Sequence, residues 1–181
     1  MLEWSLEALA GLCERVVVAV PAGFEELPDR VRGGASRSAS VRNALAAAPE
    51  ATVAVVHDAA RPLVTRELVE RCLRGLDGCE GAIAAAPVTD TVKEDDGAGR
   101  VARTLARDRL WSVQTPQVFR ADVLRSALDV SEERLAGATD DASLVEEAGG
   151  GVRLVEAPPE NIKVTTALDL SVAEAILLSR C

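Results

Sequence analysis

Tyrosine is absent from this 181-residue sequence, and only four aromatic side chains stand in it, Trp4, Phe24, Trp111 and Phe119. Lys and Arg number 20 against 29 Asp and Glu, a formal net charge of -9. Without a stacking platform or a basic stripe, binding to duplex or single-stranded nucleic acid is excluded. A single histidine, His57, rules out metal sites built from several histidines. Cys13, Cys72, Cys79 and Cys181 form no C-x-x-C pair, so zinc and dithiol redox chemistry fall away. Reduced cytosolic thiols are expected. No apolar run approaches the roughly 18 residues a bilayer span requires. Glu3 and Glu7 stand where a signal peptide carries positive charge. A cytoplasmic protein without membrane contact is expected.

With 48% apolar and 27% charged residues, the chain has the composition of one globular domain large enough to bury a core without staples. Leu2, Leu6, Leu9 and Leu12 recur at helical spacing, and the β-branched run Val16 to Val20 stops at Pro21. The alternation repeats: helix over Ser38 to Ala48, strand over Thr52 to Val56, Thr-capped helix over Thr65 to Leu76, strand over Gly81 to Val88. Thr89 to Leu110 is polar, with a turn at Asp95 to Gly99, and reads as an inserted hairpin. Helices follow at Arg120 to Leu128 and Asp140 to Ala148, a strand at Val152 to Val155, and a helix at Ala167 to Leu178. Strands separated by helices predict an α/β fold: a three-layer α/β/α sandwich around a mostly parallel, Rossmann-like sheet with an inserted β-arm. Ligands of such folds sit beyond the carboxyl ends of the strands.

Three segments there carry chemistry. Gly33-Gly34 leads through Arg37 and Ser40 into a helix, where free N–H groups can meet an anion or a base edge, or where Ser caps simply close a turn. Val56-His57-Asp58-Ala59-Ala60-Arg61-Pro62 ends a hydrophobic strand in an acid and an arginine. Asp58 can hold a metal or orient hydroxyls and Arg61 can clamp a phosphate, or the two form a plain ion pair. His57 reads as a packed, hydrogen-bonded residue and not as a catalyst. In Asn161-Ile162-Lys163-Val164-Thr165, alternation turns Ile162 and Val164 inward and leaves Lys163 as a strand-held point charge, or as a solvated surface lysine.

Together with Ala86-Pro87-Val88, Asp90-Thr91, Lys93, Thr104, Arg107, Leu110, Gln114-Thr115-Pro116-Gln117, Thr139-Asp140 and Asp169-Leu170, these segments resemble the 2-C-methyl-D-erythritol 4-phosphate cytidylyltransferases over nearly the whole chain. The resemblance implies transfer of a cytidylyl group from CTP to a sugar-alcohol phosphate in non-mevalonate isoprenoid biosynthesis, with Mg²⁺ bound mainly through the CTP phosphates. It implies that Gly34 and Ser40 read the cytosine, that Asp58 and Arg61 hold the methylerythritol moiety, and that Asp58 also lies at the nucleotide. Lys163 would stabilise charge on phosphorus, and Thr115 and Thr139 would line the substrate pocket. Thr139 before Asp140-Asp141 also reads as a helix cap. The arm over 89–110 would cross a homodimer and deliver Thr91 and Arg107 to the partner's substrate. Against the family's pattern the chain starts at the first helix, after a strand and a glycine-rich loop bearing an arginine and a lysine. An N-terminally truncated nucleotidyltransferase-like domain of low activity is therefore expected. A pentitol-phosphate cytidylyltransferase and a catalytically silent cytidine-binding or interaction protein are the alternatives.

Overall fold

Residues 1–180 are described by a computed structural model of the chain. Cys181, included in the expectation of reduced thiols, lies outside them; Cys13, Cys72 and Cys79 are free thiols. The chain order is α1 (Leu2–Leu9), β1 (Val18–Val20), β2 (Arg30–Arg32), α2 (Arg37–Ala46), β3 (Val53–Val56), α3 (Arg66–Gly75), β4 (Gly81–Pro87), β5 (Lys93–Asp95) and β6 (Val101–Thr104). There follow a 3₁₀ turn (Arg107–Arg109), β7 (Trp111–Arg120), α4 (Ala121–Leu128), α5 (Glu132–Gly137), α6 (Asp141–Glu147), β8 (Val152–Glu156) and α7 (Ala167–Arg180).

Local chemistry explains most of these boundaries. In α3 the Thr65 hydroxyl accepts the Leu68 N–H at 3.3 Å, Glu67 sits in the first turn and Arg74 in the last, so the cap and both charges favour the helix. Its buried residues Leu68, Val69 and Cys72 line one stripe. Helix α2 begins the same way, with the Ser36 hydroxyl taking the Ala39 N–H.

The main sheet has the order β3-β7-β4-β8. β7 runs antiparallel to both β3 and β4, and β8 runs parallel to β4, so three of its four strands share a direction. β1 and β2 form a separate parallel pair, and β5 and β6 the expected antiparallel hairpin. Alternation along β4 and β7 divides the core. Ile83 and Phe119 face Leu45, Leu124, Leu128, Leu135 and Val145 on one side. Ala82, Ala84 and Val118 face Leu68, Cys72 and Leu76 of α3 on the other. α1 completes that second layer by packing Leu9 against Val64 and Val69. The three-layer sandwich is thus the one the alternation predicts.

Besides β2 and α5, which fall where the sequence reading places no element, two segments differ from it. Trp111–Arg120 is the longest strand, yet its polar Gln114, Thr115 and Gln117 and its Pro116 give no strand signal. Proline is tolerated there because the β4 ladder shifts register between Ile83 and Ala85, which relieves Pro116 of donating to it. Asn161 to Thr165 is not a strand: it is an irregular extended segment tied to the Asp58 loop by the Val164 N–H to the Ala60 carbonyl at 2.7 Å.

Candidate active site

Strand β3 ends at Val56 and delivers Asp58 to a cluster drawn from several separate segments. Arg37, in the first turn of α2, donates through Nε to Asp58 Oδ1 at 2.9 Å and through Nη1 to Asp141 Oδ2 at 2.6 Å. Lys163 Nζ reaches Asp58 Oδ2 at 3.1 Å. The plain Asp58–Arg61 ion pair is therefore not what forms: both Asp58 oxygens go to other cations. The Arg61 guanidinium instead donates through Nη1 to the Asn161 carbonyl at 2.7 Å, and its buried Nε has no partner among the described residues. Lys163 lies on an irregular segment because Asn161 anchors the chain there, its Nδ2 donating to Gln114 Oε1 at 2.8 Å and the Thr115 carbonyl at 3.0 Å.

The charges bias one another. Burial alone would raise the Asp58 carboxyl, but Arg37 and Lys163 outweigh it and hold it below the ordinary carboxylate value. Asp141 is fully buried, and its burial pushes its carboxyl up despite Arg37. Burial likewise lowers the Arg61 guanidinium, opposed by Asp58. His57 sits in the same network. Its Nε2 is 3.1 Å from the Arg61 carbonyl and its Nδ1 3.1 Å from the Thr115 hydroxyl, and burial lowers its basicity. Thr115 Oγ1 also accepts the Asp58 N–H at 3.1 Å.

Next to this cluster, across the start of α2, an open cavity of about 410 Å³ is lined by Ala19, Val20, Pro21, Ala22, Arg32, Gly33, Gly34 and Ser40. The Gly34 N–H donates to Ser40 Oγ at 3.0 Å. A Cβ on Gly34 would lie 2.4 Å from the Ala39 Cβ, so only glycine lets this wall close on α2. The Ser cap of the turn reading is present on Ser36, the glycines line the cavity, and the Gly34 N–H is already taken by Ser40 Oγ.

The remaining expected residues have no side-chain bond into this cluster among the described residues. Thr139 is exposed, and the cap of α6 is Asp140, whose Oδ1 accepts the Ser143 N–H at 2.9 Å; a hydroxyl at Thr139 is displaced from that role by the carboxylate one residue on. Thr91 and Arg107 belong to the exposed arm, where Arg107 donates to the Thr89 carbonyl.

Residue by residue, sequence reasoning assigned no site role to Arg37, Asp141, Asn161 or His57. A cation in the first turn of a helix opposes the helix dipole, so Arg37 carried a signal that carboxylates await it. The doubled acid Asp140-Asp141 carried another, since one carboxylate suffices as a cap.

Among the described residues no group of His, Cys, Asp and Glu is placed to hold a metal ion, and the Asp58 carboxylate is already engaged on both oxygens. No helix among them is long and apolar enough to cross a membrane.

Comparison with known proteins places the chain in a family. The 2-C-methyl-D-erythritol 4-phosphate cytidylyltransferase of Rubrobacter xylanophilus is 48% identical over 161 residues, covering 87% of this chain and 69% of that protein. The enzyme of the same name from Pelotomaculum thermopropionicum is 42% identical over 167 residues, covering 92% and 70%. The crystal structure of 2-C-methyl-D-erythritol 4-phosphate cytidylyltransferase from Thermus thermophilus superposes with a TM-score of 0.85 at 37% identity, over 99% of this chain and 89% of that one. The profile of the family described as IspD, 2-C-methyl-D-erythritol 4-phosphate cytidylyltransferase, matches residues 1–179. Matched over nearly its whole length, the chain belongs to that family of cytidylyltransferases.

Proposed function

We propose that this chain transfers the cytidylyl group of CTP to 2-C-methyl-D-erythritol 4-phosphate, giving 4-diphosphocytidyl-2-C-methyl-D-erythritol and pyrophosphate. A phosphate oxygen of the sugar-alcohol phosphate attacks the α-phosphorus, the bond to the bridging oxygen breaks, and pyrophosphate leaves. No covalent enzyme intermediate forms, so catalysis rests on alignment and on cations at the phosphoryl oxygens.

The observation that carries this reading is the position of Lys163, held at 3.1 Å by a carboxylate that stays ionised at neutral pH and that Arg37 ties to α2, the helix whose Ser40 lines the Gly33-Gly34 cavity. Lys163 stabilises the charge that builds on phosphorus. Gly34 and Ser40 read the cytosine from the cavity wall. Asp58 accepts hydroxyls of nucleotide and polyol, and Arg61, with its unpartnered Nε–H, holds the methylerythritol moiety with Thr115 and Thr139. Mg²⁺ supplies neutralisation of the triphosphate oxygens when it is bound with CTP.

Thr91 and Arg107 act on the substrate phosphate of a second subunit in a homodimer crossed by the 89–110 arm. Support comes from the arm itself: Val101 is 63% exposed and β5 and β6 bury no residue, so the hairpin has no core of its own. The cytoplasm is the compartment that fits the free thiols.

The test is product identity and not rate. Incubation with CTP, Mg²⁺ and 2-C-methyl-D-erythritol 4-phosphate is expected to give the diphosphocytidyl alcohol, seen by mass spectrometry. A product formed only from a pentitol phosphate would redirect the substrate assignment. Cytidine nucleotide binding without any product would mark a silent binding protein.

A further inference from the structure

Four hydrogen bonds close a ring beneath the candidate site. His57 Nε2 meets the Arg61 carbonyl at 3.1 Å, Arg61 Nη1 the Asn161 carbonyl at 2.7 Å, Asn161 Nδ2 the Thr115 carbonyl at 3.0 Å, and Thr115 Oγ1 returns to His57 Nδ1 at 3.1 Å. Proton positions follow from the partners. A carbonyl only accepts, so Nε2 carries the hydrogen. Thr115 Oγ1 already accepts the Asp58 N–H, which leaves its hydroxyl hydrogen for Nδ1. All four donors then point the same way around the ring, and the imidazole, accepting on Nδ1 while donating from Nε2, lets its own two bonds strengthen each other.

The two groups placed at the chemistry hang from this ring. Asp58 is bound through its N–H to Thr115, and its carbonyl accepts the Arg61 N–H at 2.9 Å. Lys163 follows Asn161 by two residues, and the Val164 N–H closes on the Ala60 carbonyl. We infer that His57 is a positioning residue of the transfer reaction: as a neutral imidazole protonated on Nε2, it closes the ring through Thr115, Asn161 and Arg61 that sets the spacing of Asp58 and Lys163. Each of the other three members has a further contact or an assigned role, whereas His57 has no other hydrogen-bonding duty than to join Arg61 to Thr115. The kinetic part of this inference rests on the proposed function; the ring does not.

Three measurements test it. Since the chain has one histidine, long-range proton–nitrogen correlation spectra report its tautomer without assignment. A neutral ring protonated on Nε2 is expected near pH 7.5, turning into a tautomer mixture in Thr115→Val. A charged ring, or one protonated on Nδ1, overturns the ring. Second, His57→Asn keeps an acceptor near Nδ1 but not the reach to Arg61, and His57→Gln keeps the reach but not the acceptor. Folded forms of both are expected to lose about tenfold in kcat through misalignment, with the KM for CTP changed by less than about twofold. The Thr115→Val/His57→Gln pair is expected to be no worse than its poorer member, because both break one ring. Unchanged kcat, or fully additive losses, overturn the positioning role. Third, crystals of His57→Gln are expected to show Lys163 and Asp58 beyond hydrogen-bond distance; a spacing kept at 3.1 Å overturns it. If wild type makes no product while the first and third results hold, the ring stands and the proposed function fails.

Discussion

The Asp58 loop and the 89–110 arm both carry residues assigned to the sugar-alcohol phosphate, Asp58 and Arg61 to its polyol and Thr91 and Arg107 to its phosphate, and they are built in opposite ways. Asp58 is tied by Arg37 of α2, Thr115 of β7 and Lys163 of the 161–165 segment, and its side chain is 18% exposed. The arm bonds to itself: Lys93 Nζ to Thr104 Oγ1 at 2.7 Å, Arg103 to Glu94, Arg107 to the Thr89 carbonyl. Its turn is held by Asp95 and Asp96 carboxylates on the N–H groups of Gly97, Gly99, Ala98 and Arg100. A group fixed from several directions is preorganised within one chain. One on an exposed hairpin acquires its position only when another body packs against it.

The largest expected effect falls on Lys163. Lys163→Ala removes a cation from the phosphoryl group and is expected to lower kcat by about 10² to 10³ while barely changing the KM for CTP. Its side chain is 45% exposed and its loop is held by other bonds, so the urea midpoint should stay within error. Arg107→Ala should mimic it in kcat only if the arm reaches a partner's substrate. An unchanged rate in Arg107→Ala would confine the site to one chain.

Stability separates the two regions next. Arg37→Ala strands the fully buried Asp141 carboxylate and strips Asp58 of one cation. Because Arg37 is itself partly exposed, the lower end of the range for broken buried pairs applies, about 3 kcal/mol by urea denaturation. Arg103→Ala in the arm breaks an exposed pair and should cost less than about 0.5 kcal/mol. Equal losses would mean that the arm is packed in solution as tightly as the core.

How much of this was legible in the sequence also divides by region. The helices other than α5 and the strands β3, β4 and β8 follow from apolar periodicity and caps, as Thr65 on α3 illustrates. The hairpin follows from its polar run and turn residues. β7 was hidden because its site-facing residues, Thr115 and Gln117, are buried polar groups that look like loop residues. The roles of Asp58, Lys163 and Arg107 came from the family resemblance, and their partners were not in it residue by residue. The 104 positions between Arg37 and Asp141, or the 46 between Thr115 and Asn161, leave no local trace. His57 read correctly as packed and hydrogen-bonded, but nothing local says that both its partners belong to the site.

Subunit mixing sharpens the contrast further. If Thr91 and Arg107 serve the partner, an Arg107→Ala chain mixed with a Lys163→Ala chain rebuilds one intact site per heterodimer. Random assortment makes about half the dimers mixed, so activity should return to roughly a quarter of wild type. No recovery despite demonstrated exchange would leave the arm without a catalytic role.

The smallest effect is a pH dependence confined to the buried loop. Burial holds His57 below its ordinary value, so between the unfolded value near 6.5 and the lower folded value the unfolded chain binds a proton that the native ring does not. Stability contributed by the neutral ring is complete above about pH 6.5 and is lost as pH falls toward the folded value, at no more than about 1.4 kcal/mol per pH unit for one proton. Asp58, held low, keeps its ion pairs through this window, and its own contribution is lost only as pH falls through its depressed value. The slope measured by urea denaturation between pH 7 and 5.5 should therefore flatten in His57→Asn, since no other histidine titrates in the chain. An equal slope in wild type and His57→Asn would assign the loss to carboxylates and leave the imidazole out of it.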